Sequence, residues 1–380
     1  MNAPHPTVQP GPTVQPDPAV QPEPTVQPDS AVQPDPAVQP DPTVQPDSAG
    51  TAKPVKTASR DRDGRPAAPI RILHLGMGNF ARAHLAWYTQ HAPDAAQWGI
   101  AGFSGRGGAA TPQSRYDALT RQGGVYLLDI RHPDHDQVEV ISSVSTFHDG
   151  TDMADWVRLF ADPHVAIVSS TVTEVGYRVG PDGGLDLDNP DLVRELDSLR
   201  VHLDQLPDHG YRTAPAKLVL GLLARRTRQA GPLTIMPCDN VPQNGVMVSR
   251  IVRQAAQYVD PSLVDWLDAN VSFVTTVVDR ITPHTTPGDI ERVAQVTGLR
   301  DEALVVTEPF AEWVLSGEFQ AGRPEWEAMG ARFVQDIVPF ESRKLFLLNG
   351  SHSLMAYAGS ALGYQTIYEA VSDPRIVTWI

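Results

Sequence analysis

Hydrophobic and polar positions change their rhythm along this chain. From Thr7 to Ser48 the sequence repeats seven hexads of the form [TA]-V-Q-P-x-[PS], such as Thr13-Val14-Gln15-Pro16-Asp17-Pro18. Each hexad offers one valine and one or two prolines. Proline fixes φ and removes a backbone donor, so neither helix nor sheet propagates. The repeat predicts an extended, partly polyproline II tail. It reads either as a docking tail for a proline-binding module or as an expendable solvated extension. The stretch from Gly50 to Pro69 is mixed in charge and reads as a flexible linker, so residues 1–69 are expected to be disordered.

At Ile70 the pattern changes to short apolar runs separated by helical periodicity. Ile70–Leu75 is an apolar run ending in glycines, as a buried first strand should. Gly99–Phe103, Val138–Ile141, Val165–Ser169 and Leu233–Met236 are further strand candidates. Helical patterns cover Ala81–His91, Met153–Phe160, Leu192–Gln205, Ala216–Gln229 and Gly245–Val259. Strands alternating with helices predict an α/β fold with a mostly parallel sheet covered on both faces. Farther along, helical patterns at Asp289–Thr297, Pro324–Met329 and Glu341–Leu362 predict a mostly α-helical second domain. The expected organisation is a tail and linker over 1–69, a dinucleotide-binding domain over 70–265 and the start of a helical substrate domain over 266–380.

Composition narrows the function classes. The net charge of −15 argues against nucleic acid as a partner, because phosphate binding needs clustered Lys and Arg. Cys238 is the one cysteine, which rules out an internal disulfide and a Cys-built structural zinc site. No signal peptide is seen at the N-terminus and no run of apolar residues is long enough to span a membrane. A cytoplasmic protein without membrane partners is expected.

Two stretches carry candidate chemistry. Gly76-Met77-Gly78-Asn79-Phe80-Ala81 follows the first strand and opens a helix, the G-x-G-x-x-G/A pattern in its required context. Gly76 would make the tight turn, Gly78 would let backbone approach a pyrophosphate, and Ala81 would allow close helix–strand packing. This predicts a Rossmann-like fold that binds a dinucleotide through Gly76, Gly78, Asn79, Phe80 and Ala81. No acid ends the second strand. Arg106 either faces a 2′-phosphate, favouring NADP, or stacks on adenine or points to solvent.

The second stretch is Glu341 to His352. At ~100° per residue, Glu341, Lys344, Asn349 and His352 fall within one arc of roughly 140°. A lysine among Leu345, Phe346, Leu347 and Leu348 would be partly desolvated, which lowers its pKa toward that of a usable base. The competing reading is a helix whose lysine snorkels to solvent while Asn349 and His352 cap its end.

Six sequence words, in order from about Ile70 onward, resemble the long-chain mannitol dehydrogenase family of polyol-specific dehydrogenases. They are Gly76–His84, Thr171–Tyr177, Cys238–Gly245, Val278–Pro283, Val306–Phe310 and Lys344–His352. The resemblance implies an NAD-dependent oxidoreductase, with NADP possible, that interconverts a secondary alcohol of a polyol or hexonate with a ketose or ketohexuronate. It implies Lys344 as general base, Asn240 and Asn349 as holders of the oxyanion, and His352 as the substrate-orienting residue. Glu341 would be the acid linked to proton exchange with solvent, Asp279 a supporting acid, and no metal would take part. Several alternatives stay open. Asn240 also fits a turn cap, Asp279 an ion pair with Arg280, and Thr173 and Glu174 either line the nicotinamide site or cap a loop. His84 reads as structural. The family's chains run on past the equivalent of Ile380, so an incomplete substrate pocket with an exposed apolar face is expected, and the alternative function is a non-catalytic nucleotide-binding protein.

Overall fold

The computed structural model describes residues 55–105, 113–202 and 210–380. The hexad tail and Arg106 lie outside the described residues. Six strands form the central sheet: β1 (Ile70–Leu75), β2 (Gly99–Phe103), β3 (Val144–His148), β4 (Ile167–Ser170), β5 (Leu233–Pro237) and β6 (Val271–Phe273). Every pairing is parallel and the spatial order is 3-2-1-4-5-6, the order of the dinucleotide-binding sheet. Neighbouring positions of β1 serve opposite faces. Leu73 and Leu75 pack with Trp156, Leu196, Leu220 and Val252 on one face. Ile72 packs on the other with Ala81, Tyr88, Trp313 and Trp326. Helices Met153–Phe160, Pro190–Val201, Ala214–Arg228 and Asn244–Val259 cover the first face. Two of them start where sequence signals say they should. Asp152 accepts from the Asp155 N–H at 3.0 Å, and Asn189 caps a helix with proline in its first turn.

Four expectations are corrected. First, the linker is partly ordered. Lys56–Thr57 pairs in parallel with Leu299–Arg300, and Ala58 is buried. The Arg60 guanidinium donates to the carbonyls of Gly123 at 2.7 Å, Ser142 at 3.1 Å and Val144 at 2.6 Å. A charged segment that looks solvated is therefore fixed by distant backbone acceptors. Second, the sheet extends past residue 265 to β6, and Thr275–Asp279, Val305–Thr307 and Glu312–Ser316 are strands. After the isolated helix Pro287–Thr297, continuous helical structure begins at Val338. Pro324–Met329 supplies just a 3₁₀ turn at Trp326–Met329. Third, the helix expected over Ala81–His91 breaks at His84 into Asn79–Ala83 and Leu85–His91. His84 is drawn inward by Phe80, Trp313 and the carbonyl of Glu312, at 3.0 Å from Nε2. Fourth, the helix over Glu341–Leu362 is not uniformly α. It runs as α over Val338–Arg343, π over Lys344–Asn349 and α again over Gly350–Ala361. Among the described residues no helix is long and apolar enough to cross a membrane.

Candidate active site

The loops that leave the carboxyl ends of β1, β4 and β5 meet, as expected of a ligand crevice in an open parallel sheet. Gly76 has φ +96°, and a Cβ built on it would lie 2.2 Å from the carbonyl oxygen of Thr171. No other residue type fits there. At Gly78 the nearest atom to such a Cβ is 3.7 Å away, which leaves the open backbone face that a pyrophosphate needs. Asn79 starts the helix and its Oδ1 accepts from Arg82 at 2.8 Å. Phe80 stacks on His84, and Ala81 is buried against the sheet. The glycine turn therefore fits a dinucleotide phosphate on the geometry of its own backbone. Thr173 and Glu174 lie on the loop after β4 with their side chains exposed.

Lys344 faces this crevice from the helical side. Its Nζ donates to Asn240 Oδ1 at 2.8 Å, just beyond β5, and to the carbonyl of Val278. Burial pushes the ammonium below the ordinary lysine value, while Asp279 and Glu312 pull it back up. The expected source of desolvation was wrong. Leu345, Phe346, Leu347 and Leu348 are exposed, Phe346 at 72%. It is the strand Thr275–Asp279 and the Asn240 loop that shield the amine. Asp279 is half-buried, and burial raises its carboxyl pKa against the lowering influence of Lys344. Its neighbour Arg280 turns away to Thr307 Oγ1 at 3.1 Å and the carbonyl of Ala83 at 2.5 Å, so the two do not form the ion pair considered from sequence.

The helix does not present its four polar residues to one space. Glu341, Lys344 and Asn349 line a cavity of about 90 Å³ with Asn240 and Val278. His352 lines a separate cavity of about 590 Å³ with Glu312, Arg332 and Lys344. Lys344 borders both. The Glu341 carboxylate accepts from the Gln243 backbone N–H at 2.8 Å and side-chain Nε2 at 2.5 Å. His352 Nδ1 lies 3.0 Å from the carbonyl of Leu348.

Family models match in two consecutive blocks, the mannitol dehydrogenase Rossmann domain over residues 70–328 and the mannitol dehydrogenase C-terminal domain over 336–380. The chain belongs to the mannitol dehydrogenase family. It is 37% identical over 309 residues to D-mannonate oxidoreductase of Escherichia coli (strain K12), covering 80% of this chain and 61% of that protein. Substrate-free D-sorbitol dehydrogenase superposes with a TM-score of 0.76 at 28% identity, over 86% of this chain and 66% of that one. Mannitol 2-dehydrogenase of Pseudomonas fluorescens, solved with NAD and D-mannitol, superposes with a TM-score of 0.71 at 33% identity, over 82% and 62%. The chain spans about three fifths of the length of the curated relatives it matches.

Three residues of the crevice have no individual signal in the sequence. Asp239 is buried and accepts from the N–H groups of Val172 and Thr173, both at 2.7 Å, and from the Tyr177 hydroxyl at 2.5 Å. Glu312 forms an ion pair with Arg343 and bears on Lys344. Gln243 engages Glu341. Their partners lie far away in the chain, so spacing could not find them. A group of three possible metal ligands, His148, Asp152 and Asp155, sits at the end of β3. There the His148 ring bonds to Asp155 at 2.9 Å and Thr146 at 3.0 Å, and Asp152 caps a helix.

Proposed function

We propose that this protein is an NAD-dependent, metal-independent dehydrogenase acting in the cytoplasm on small acyclic substrates. It would interconvert a secondary alcohol of a polyol or hexonate with the corresponding ketose or ketohexuronate. The observation that carries the reading is the desolvated amine of Lys344, held 2.8 Å from Asn240 Oδ1 at the crevice that also receives the glycine turn. Family membership and the NAD complex of the Pseudomonas fluorescens relative support the cofactor.

NAD, when bound, supplies the hydride acceptor. The chain's own residues handle the proton and the oxygen. As hydride leaves the carbinol carbon, neutral Lys344 takes the hydroxyl proton and the C–O bond becomes a carbonyl. Asn240 uses its amide oxygen on Lys344, which leaves its Nδ2 to donate to the developing alkoxide, and Asn349 supplies a second donor. His352 orients the substrate from the larger cavity, and Asp279 supports the charge of Lys344. Glu341 passes the proton toward solvent once Gln243 releases its carboxylate.

Oxidation of NADH and NADPH should be assayed against a panel of ketoses and ketohexuronates, with the reverse reaction on polyols and hexonates. NADH-linked turnover on at least one member is expected. NADPH preference would move the cofactor assignment to NADP and implicate Arg106. Binding of NADH without turnover on any member would reduce the chain to a nucleotide-binding protein.

A further inference from the structure

One buried carboxylate ties the three loops of the crevice together. Asp239 is 5% exposed, and the donors that hold it are neutral: two consecutive backbone N–H groups on Oδ1 and the Tyr177 hydroxyl on Oδ2. The second of those N–H groups belongs to Thr173, whose φ of +69° and ψ of 162° lie in a region that is essentially glycine's own. A β-branched residue resists that conformation more than most. It persists where the surroundings over-determine it, and the paired N–H bonds to Asp239 do so.

The consequences run in both directions along the chain. Two residues before Thr173, Thr171 donates from Oγ1 to the Gly76 carbonyl at 2.8 Å, and its own carbonyl occupies the space that a Cβ on Gly76 would need. The loop after β4 therefore sets the glycine turn. One residue after Asp239, Asn240 receives the Lys344 amine. Asn244 Nδ2 fixes this loop further, donating to the Asp239 carbonyl at 2.9 Å.

We propose that Asp239 is a positioning residue: its carboxylate holds Thr173 in a strained conformation that shapes the nicotinamide end of the cleft and fixes that end relative to Lys344. The inference rests on the dehydrogenase reading above.

The test uses the full 380-residue chain and NADH as probe, with affinity read from tryptophan fluorescence quenching. Asp239→Ala removes three hydrogen bonds to the carboxylate and should weaken NADH at least about tenfold, the factor that one hydrogen bond to a charged group carries. Asp239→Asn keeps an acceptor oxygen and should stay close to the parent. Adding Thr173→Gly to Asp239→Ala should recover most of the affinity, because glycine adopts this conformation without the carboxylate. Thr173→Gly alone should raise the melting temperature, because it relieves the strained conformation. Parent-like binding by Asp239→Ala, or no recovery on adding glycine, would overturn the proposal. Should Asp239→Ala fail to fold, the single glycine variant decides: a lowered melting temperature means that Thr173 is not strained and the idea is wrong. Absence of NADH binding by the parent chain would instead overturn the dinucleotide reading, and this inference with it.

Discussion

The two halves of the candidate site are built in opposite ways. The half carried by strand ends is buried and redundantly bonded: Gly76, Thr171, Asp239 and Asn244 hold one another through backbone and side-chain hydrogen bonds. The half carried by the helix from Val338 to Ala361 has a single π turn, and exposed apolar side chains follow Lys344 directly. Lys344 reaches across, and its bonds to Asn240 and Val278 join the halves. In the proposed reading the strand side is a preformed mould for the cofactor. The helix side carries Lys344 beside apolar side chains that stay exposed.

The largest expected effect sits at the junction. Asn240→Ala should lower turnover by about 10²–10³-fold, the usual loss of one alkoxide donor. Cofactor affinity should hardly move, because the mould does not use the Asn240 side chain. Steady-state kinetics paired with NADH titration would separate the two, and a matching loss of affinity would show that the halves do not act independently.

Acid should loosen the strand side. His74 and His84 are fully buried, and burial takes each from 6.5 to about 3. The unfolded chain then binds protons that the folded chain refuses. Stability is full above about pH 6.5 and drains as pH falls from there toward about 3, at up to about 1.4 kcal/mol per pH unit for each histidine. Melting temperatures across pH 5–8 check this. His84→Phe should flatten the acid limb, and an unchanged limb would remove His84 from the account.

A smaller effect sharpens the electrostatics of the junction. Asp279 and Glu312 both raise the pKa of Lys344 against burial, with His84 and His352 also within electrostatic reach of this cluster. Asp279→Asn removes one stabilising negative charge, so Lys344 should lose its proton at lower pH. The pH–rate profile for alcohol oxidation should move to lower pH. A move to higher pH would show that Asp279 does not act on the base through charge.

The difference between the halves also explains what could be read in advance. Glycine positions report backbone geometry directly, so Gly76 and Gly78 were legible from spacing, and Ile70–Leu75 was legible because a buried parallel strand is an unbroken apolar run. The helical arc brought Lys344 and Asn349 to notice and the matching words added Asn240, and the structure places all three at one cavity. The placement of His352 in a different cavity from Glu341 and Asn349 was hidden, because helical phase does not tell which distant segments border each turn. Asp239 was hidden for another reason: Thr173 and Asp239 are 66 positions apart, and nothing local in either segment signals that one bears on the other. The ordering of Arg60 was missed likewise, since its acceptors are carbonyls of strands and turns far along the chain.

Lys344 is the proposed base, and every other role in the site depends on it. The most direct measurement is the pH dependence of alcohol oxidation by the parent and by Lys344→Ala, with NADH affinity measured alongside. The parent's rate should rise with pH as the amine deprotonates, with its midpoint below that of an unburied lysine. Lys344→Ala should lose at least about 10²-fold in turnover, lose that pH limb and keep its NADH affinity. An active parent whose Lys344→Ala variant retains both its turnover and its pH limb would contradict the account.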